Sequence, residues 1–311
     1  MKNEKIFITG GAGFLGKALV GRLYHDNNIT VYSRDEAKHY YMKKQYPRVK
    51  FIIGDVRDRE HLIRSARNHT VGIFAASLKQ IDACNDNYIE ASKTIIDGAF
   101  NSRMAAEENK FKWACFISSD KSRAATTLYG AMKYVAGESF ISGRYTETRL
   151  NTAIYGNVTN STGSVIPLIW EFIKSNKELQ LYSEEMTRFL LDVEYAIDLI
   201  LKSPHFNNCN LIPKINSFKI KDLFEIYQEE FGLKYVITNP RPNEKIHEIM
   251  ASAEEVRRLR YDDFWNVYEL GPHYSEGVTL NFKNNEYCSK DFTLSKEELR
   301  EFLKEKKYYK P

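Results

Sequence analysis

The sequence predicts an α/β fold, a doubly wound parallel sheet with a smaller C-terminal portion, and three observations carry that reading. Short apolar runs alternate with amphipathic helical stretches through the first half of the chain. A glycine-rich turn, Thr9-Gly10-Gly11-Ala12-Gly13-Phe14-Leu15-Gly16, joins the first apolar run to the first helical stretch. After about residue 156 the alternation is interrupted at Gly156, Gly163-Ser164 and Pro167.

The elements follow in order. Ile6-Phe7-Ile8 reads as the first strand and Phe14 to Tyr24 as the first helix. Runs at 29–32, 50–53, 71–75, 113–117 and 149–153 read as further strands, being apolar without strict alternation, as strands covered on both faces are. Long helical patterns occupy 89–108 and 128–141. Beyond the break, helices are expected at 168–175, 193–202 and 220–231. Ser295-Lys296-Glu297-Glu298 is a capping box that opens a last, charged helix. No internal repeat or low-complexity linker separates the halves, which are expected to pack as one unit.

Composition excludes several classes of function. The chain has 311 residues, 43% of them hydrophobic and 28% charged, ordinary values for a globular protein. Its 45 basic and 41 acidic side chains leave a net charge of +4, and the basic residues are scattered rather than gathered into a nucleic-acid-binding stripe. Cys84, Cys115, Cys209 and Cys288 lie far apart, without zinc-ligand spacing, so no metal site is expected and a reduced, intracellular protein is. No apolar run approaches the roughly 20 residues a membrane span needs. The N-terminus enters a strand at once, which leaves no room for a signal peptide. The expected location is the cytoplasm.

The glycine turn carries the first chemistry. Gly10, Gly13 and Gly16 follow a G-x-x-G-x-x-G spacing between strand and helix, where the backbone can approach a pyrophosphate and the helix N-terminus offers free N–H groups. This is a Rossmann-type arrangement, with Thr9, Gly10, Gly13, Phe14, Leu15 and Gly16 as the cofactor contacts. The second strand ends in Tyr32-Ser33-Arg34-Asp35-Glu36. Ser33 and Arg34 come first and suit the 2′-phosphate of NADP. Asp35 would instead accept ribose hydroxyls, which keeps NAD as the alternative. Asp55 and Val56 after the third strand, and Ala75 and Ala76 after the fourth, complete the expected cofactor contacts. Asp55 has a second reading, as a cap on the following helix.

The reacting groups follow the fifth strand, in Ser118-Ser119-Asp120-Lys121 and Tyr129-Gly130-Ala131-Met132-Lys133. Tyr129 and Lys133 stand four apart and project from one helix face. A lysine ammonium beside a phenol stabilises the phenolate, making it a base for a sugar hydroxyl as hydride leaves for nicotinamide.

The glycine turn, Ser119 and the Tyr-x-x-x-Lys pair together resemble the extended short-chain dehydrogenase/reductase superfamily. Ile53-Gly54-Asp55-Val56-Arg57-Asp58, Ser119-Asp120-Lys121, Leu128-Tyr129-Gly130-Ala131, Tyr155-Gly156-Asn157-Val158, Gly163-Ser164-Val165-Ile166-Pro167, Met186-Thr187-Arg188-Phe189 and Arg241-Pro242-Asn243-Glu244-Lys245 narrow the likeness. With Tyr32 to Glu36 they resemble the inverting UDP-N-acetylglucosamine 4,6-dehydratases of polysaccharide and flagellin-sugar biosynthesis, over residues 5 to 250. The resemblance implies an internal redox elimination. Tyr129 takes the proton of the carbon 4 hydroxyl, Lys121 the proton at carbon 5, and Asp120 protonates the leaving carbon 6 hydroxyl, with inversion at carbon 5. Lys121 must be neutral to act, so burial, Lys133 and the oxidised nicotinamide are expected to outweigh Asp120 once substrate excludes water. The other reading of Asp120-Lys121 is a surface ion pair.

On the substrate side, Asn157 is placed to hydrogen-bond the sugar or diphosphate, and Val165 and Lys79 match family positions near the substrate. Arg188 and Arg241 suit the diphosphate, and Glu244 the uridine ribose. His247 reads as structural. The chain departs from the family pattern at Phe74 and Ser77, at Ile95 where asparagine is usual, at Ile154 where arginine is usual and at Asn243 where glycine is usual. It also lacks a proline before Tyr129. The resemblance further implies a UDP-sugar as partner and a homo-oligomer, hexamers included. The chain then divides into an NADP-binding domain, 1–155, and a mainly substrate-binding portion with the C-terminal tail, 156–311, which leaves open a strand returned to the sheet. A nucleotide-sugar epimerase or reductase, or a non-catalytic NADP-binding protein, stands as the alternative. Asp120-Lys121 argues against the former, because epimerisation at carbon 4 needs no acid at carbon 6.

Overall fold

The computed structural model describes residues 1–143, 147–161, 163–240, 242–272, 280 and 282–309. Its centre is an α/β fold with a mainly parallel sheet. β1 (Lys5–Thr9), β2 (Asn28–Ser33), β3 (Lys50–Ile53), β4 (Val71–Phe74), β5 (Trp113–Ile117) and β6 (Arg149–Ala153) lie side by side in the order 3-2-1-4-5-6. All are parallel, with Ile6 opposite Ile29 on one side of β1 and opposite Val71 on the other. The winding direction reverses between β1 and β4, which opens a crevice at the strands' carboxyl ends.

Alternation of side chains across the sheet divides the core. Ile6 and Ile8 pack on one face with Leu19 and Val20 of α1 (Phe14–Leu23), and Phe7 packs on the other. That second face is covered by α3 (Arg59–Ser65), α6 (Gly98–Glu108) and α7 (Leu128–Ile141), whereas α2 (Glu36–Gln45) joins β2 to β3. The helix expected at 89–108 is interrupted. α4 (Ile81–Asp86) and α5 (Tyr88–Ser92) precede a π-helical turn at Lys93–Asp97, and only then does α6 begin. A π turn adds a residue to the helix, and a 3.6-residue pattern does not reveal it. Ile95, within that turn, is buried in the same cluster as Tyr129 and Met132, so it supplies apolar packing there.

The sheet continues beyond residue 155. β9 (Cys209–Pro213) pairs parallel with β6, and the hairpin of β13 (Leu259–Asp262) and β14 (Val267–Leu270) adds two antiparallel strands, completing nine. Three small pairs lie outside it. These are β7 (Glu178–Leu181) with β11 (Lys234–Ile237), β8 (Thr187–Phe189) with β10 (Ser217–Lys219), and β12 (Ile249–Ala251) with β15 (Tyr287–Cys288). α8 (Val165–Ser175) starts three residues before its expected position, with Pro167 in its first turn, where a missing N–H costs nothing. α9 (Val193–Leu201) packs on α1, and α11 (Ala253–Val256) follows β12. α10 (Ile220–Phe231) packs on α12 (Lys296–Glu305), which the capping box of Ser295 and Glu298 opens as expected. Leu299 and Leu303 of α12 are buried in the apolar cluster that α10 lines.

Among the described residues, no helix is long and apolar enough to cross a membrane, and no group of three or more His, Cys, Asp or Glu could hold a metal ion. All four cysteines are buried free thiols.

Candidate active site

The glycine turn follows β1 with Gly10 at φ +67°, a conformation that L side chains rarely adopt. A Cβ there would lie 2.8 Å from the Ala76 nitrogen, so Gly10 is what lets the turn press against the end of β4. Thr9 is buried and its hydroxyl accepts from the Ala76 N–H at 3.3 Å. Gly13 stands at the N-terminus of α1, which no side chain caps. Thr9, Gly10, Ala75 and Ala76 thus form one backbone surface, with Phe14, Leu15 and Gly16 in the first turn of α1 beside it.

At the end of β2 the candidates divide. The Asp35 carboxylate caps α2, accepting from the Lys38 N–H at 2.9 Å and pairing with the Lys38 amine at 2.6 Å. Arg34 is left with its side chain half in solvent, 3.7 Å from Asp55. Ser33 meets His39 at 2.6 Å. The cap on α3 belongs to Asp58, which accepts from the His61 N–H, and not to Asp55. Asp55 instead holds its own turn, accepting from the Arg57 N–H at 2.9 Å and from the Arg57 guanidinium. Burial pushes that carboxyl up, but the Arg57 bonds hold it below the usual range. Val56 is buried, its carbonyl accepting from Asn101 at 2.9 Å.

The reaction centre is assembled where β5 ends. Ser119 caps a single 3₁₀ turn, Asp120–Ser122. The Asp120 carboxylate accepts from the Ser119 hydroxyl at 3.0 Å and from the Lys121 N–H at 2.8 Å, fixing both side chains to the turn. α7 approaches this turn closely because of Gly130, where a Cβ would fall 2.2 Å from the Lys121 carbonyl oxygen. Thr127 caps α7 through the Gly130 N–H. Tyr129 and Lys133 are consequently both buried on the face of α7 toward the end of β5.

Burial governs the electrostatics there. Burial pushes the Lys133 amine down to about 7, and its ammonium donates to the Ile117 carbonyl at 2.9 Å. Burial pushes Tyr129 up to about 12, while the Lys121 charge and the Ser119 hydroxyl pull it back. Lys121 is thus a cation that favours the phenolate in the ligand-free chain.

Lys121 itself stays charged. Its amine lies 3.4 Å from Asp120, 3.2 Å from Asn157 and 3.1 Å from Glu248. Burial pushes it down, but Asp120 and Glu248 together hold it above the usual lysine value, so the amine is charged in the ligand-free chain. Nor is the pair on the surface, because Asp120 is 1% exposed. Burial raises the Asp120 carboxyl despite Lys121, and its Oδ2, buried beside Gly156, has no hydrogen-bond partner among the described residues, which fits a protonated acid.

Arg188, on β8, pairs with Glu244 at 2.6 Å and lies 3.6 Å from Glu248, while its other nitrogen donates to the Thr187 and Ile246 carbonyls. Two residues expected on the substrate side are therefore brought together. Lys79 stands in the loop between β4 and α4, and Val165 opens α8 against the C-terminal core. Arg241 lies outside the described residues. Sequence reasoning missed Glu248, the buried carboxylate between Lys121 and Arg188, and Lys245, which donates to the Arg123 carbonyl at 2.5 Å. The charged run Glu244-Lys245-Ile246-His247-Glu248 was the available signal. A cleft lined by Ile81, Lys121, Thr127, Glu244, Lys245 and Glu248 gives access to these groups. A larger cavity of about 560 Å³ is lined by Glu184, Thr187, Lys219, Asp222 and Lys290 among others, and none of the reacting groups borders it.

A glycine turn against a doubly wound sheet, with Ser119, Tyr129 and Lys133 after its fifth strand, defines an extended short-chain dehydrogenase/reductase. The family model described as Polysaccharide biosynthesis protein matches residues 6–269, and the chain belongs to that family. It is 36% identical to the UDP-N-acetylglucosamine 4,6-dehydratase (inverting) of Campylobacter jejuni, over 88% of this chain and 84% of that protein. It is 33% identical to the UDP-glucose 4-epimerase of Rickettsia akari, over 90% and 85%. Among solved structures it is similar to the X-ray structure of Pen from Bacillus thuringiensis, with a TM-score of 0.89 and 26% identity over 99% of each chain.

Proposed function

We propose that the chain is an NADP-dependent dehydratase of a UDP-N-acetylhexosamine, UDP-N-acetylglucosamine first, forming a 4-keto-6-deoxy sugar with inversion at carbon 5 for glycan biosynthesis. The observation that carries this is the meeting of Asp120 and Lys121 in one buried site beside Tyr129, with one Asp120 oxygen unpartnered. Oxidation and reduction at carbon 4 alone require neither an acid nor an amine there.

The residues present fit a dinucleotide. The Gly10 turn leaves backbone rather than side chain at its surface, α1 begins without a side-chain cap, and Arg34 is free to turn from Asp55 toward a phosphate while Asp35 is committed to α2. When bound, NADP supplies reversible hydride acceptance. Tyr129 accepts the carbon 4 hydroxyl proton, its phenolate favoured by the Ser119 hydroxyl. Asp120 gives its proton to the carbon 6 oxygen as water leaves, and Lys121 takes the proton from carbon 5. Arg188, Arg241 and Glu244 hold the diphosphate and ribose, and Asn157 orients the sugar and Lys121 together.

The alternative is a nucleotide-sugar 4-epimerase or reductase, favoured by the similarity to the Rickettsia akari protein. The assembly we propose is a homo-oligomer, for which Phe100 on α6 and Leu128, Tyr134 and Val135 on α7 offer exposed apolar side chains.

The deciding experiment incubates purified protein with UDP-N-acetylglucosamine without added NADP and follows the product by mass spectrometry. Loss of one water is expected, because the cofactor is regenerated each turn. A product of unchanged mass but altered configuration would establish the epimerase. Lys121→Ala is expected to abolish water loss while retaining bound cofactor. NMR of the product made in deuterium oxide reads the configuration at carbon 5.

A further inference from the structure

We infer that Glu248 is the internal proton acceptor for Lys121, so that the elimination is run by a buried set of three residues, Asp120, Lys121 and Glu248. This rests on the dehydration proposed above.

The geometry comes first. The Glu248 side chain is 3% exposed, with Oε1 at 3.1 Å from the Lys121 amine. Its Oε2 is buried and has no hydrogen-bond partner among the described residues, so a carboxylate oxygen there has capacity to spare. Its backbone is fixed from both sides by Ser289, whose hydroxyl accepts from the Glu248 N–H and whose N–H donates to the Glu248 carbonyl, each at 2.9 Å. The carboxylate is therefore held at Lys121 by the fold and not by Lys121 itself.

The proton inventory follows. Elimination needs Asp120 protonated and Lys121 neutral. Burial favours the first, and the two neighbouring carboxyls oppose the second. The charged groups facing Lys121 and Glu248 are Asp120, Arg188 and Lys245, with Glu244 paired to Arg188 and Tyr129 beside Lys121. With Asp120 protonated, Glu248 is the one carboxylate among the described residues in contact with the ammonium. Moving a proton across that contact breaks one N–H bond of Lys121, forms an O–H bond on Glu248, and leaves the total charge unchanged. Two opposite ions become two neutral groups, a change that exclusion of water favours. Burial pushes the Glu248 carboxyl up, but Lys121, Arg188 and Lys245 together hold it ionised in the ligand-free protein. A diphosphate drawing Arg188 away removes part of that hold, which couples substrate binding to formation of the base. Glu248 acts through Lys121 and is a positioning residue.

The opposite role, a fixed counter-ion that merely keeps Lys121 charged, predicts the opposite sign. The test compares the pH profiles of kcat for wild type and Glu248→Gln with UDP-N-acetylglucosamine. Wild type is expected to be flat from about pH 6 to about pH 9, because the transfer is internal. Glu248→Gln is expected to fall at least about tenfold at neutral pH and to recover by about tenfold per pH unit as Lys121 loses its proton to solvent. Glu248→Asp restores the flat profile. A Glu248→Gln enzyme as fast as wild type or faster at neutral pH, or a slowed one with an unshifted profile, overturns the inference. Should Glu248→Gln fail to fold, Glu248→Asp carries the test through deuterium exchange at carbon 5. That exchange is expected to slow while reduction of the bound cofactor does not, and equal slowing of both overturns the role. Absence of water loss in wild type would sink the elimination itself, whereas water loss with unshifted variants sinks only Glu248.

Discussion

Arg123 and Glu255 form an ion pair at 2.5 Å, Nη1 to Oε1, with no accessible surface on the arginine side chain. A second nitrogen of Arg123 reaches Glu138 on α7 at 3.0 Å. One guanidinium thus ties the turn that carries Asp120 and Lys121 to α7 and to α11, two segments far apart in sequence. Truncating one partner of such a pair strands the others. Arg123→Ala is expected to destabilise the protein by about 3 kcal/mol, because Glu255 and Glu138 lose their shared cation. Urea unfolding measures this, and a change within error of zero would show the pair to be dispensable.

Gly130 sets the distance between α7 and the same turn. In Gly130→Ala the new methyl would meet the Lys121 carbonyl, a backbone atom that cannot swing aside. The helix must retreat, which costs about 1 to 3 kcal/mol and moves Tyr129 away from Asp120. Loss of turnover of about tenfold or more is expected, read mainly in kcat, since sub-ångström misplacement of a reacting group is enough. A variant with normal kcat would mean that Tyr129 tolerates the shift.

The contrast between what could and could not be foreseen is physical. β1, β2, β4, β5 and β6 lie inside the sheet and are buried on both faces, so they read as runs bounded by polar turns, and their registers follow from a fold with few alternatives. Leu259-Arg260-Tyr261-Asp262 is the edge strand with Leu259 alone buried, and Glu269 interrupts the buried residues of Val267-Tyr268-Glu269-Leu270, so no apolar run marks either. Ser119, Asp120, Lys121, Tyr129 and Lys133 were visible because they lie close together in one strand-to-helix connection. Glu248 is more than 120 positions from Lys121, and only the fold brings the two to 3.1 Å. The charge on Lys121 in the ligand-free chain has the same origin, because Asp120 and the distant Glu248 together outweigh burial.

The choice of dinucleotide turns on Arg34. Asp35 is spent on capping α2, so its carboxylate is held below the usual range by Lys38 and faces the helix rather than a ribose. Arg34→Ala is expected to weaken NADP binding about tenfold, a loss in keeping with one charge-assisted hydrogen bond, and to leave NAD binding unchanged. Titration of each dinucleotide by calorimetry tests this. Equal weakening of both would assign Arg34 to the turn at Asp55 instead.

Lys133 makes the stability of the cofactor-free protein depend on pH. Burial pushes its amine down to about 7 in the folded chain, far below its ordinary value. Between about pH 7 and about pH 10 the unfolded chain therefore binds a proton here that the folded chain does not, and the contribution of this group to stability rises with pH through that window. Lys79, Lys202 and Lys245, also held low by burial, act in the same direction. Tyr129, pushed up to about 12, opposes them only above about pH 10, where its unfolded phenol begins to ionise. Lys133→Met removes one titrating proton without emptying the site. The gain in unfolding free energy between pH 7 and pH 9 is expected to shrink by about 2 kcal/mol in the variant, measured by urea denaturation at both values. An undiminished gain would place the titrating amine elsewhere and leave Lys133 charged at neutral pH, with the Ile117 carbonyl sufficient to hold an ammonium in the interior.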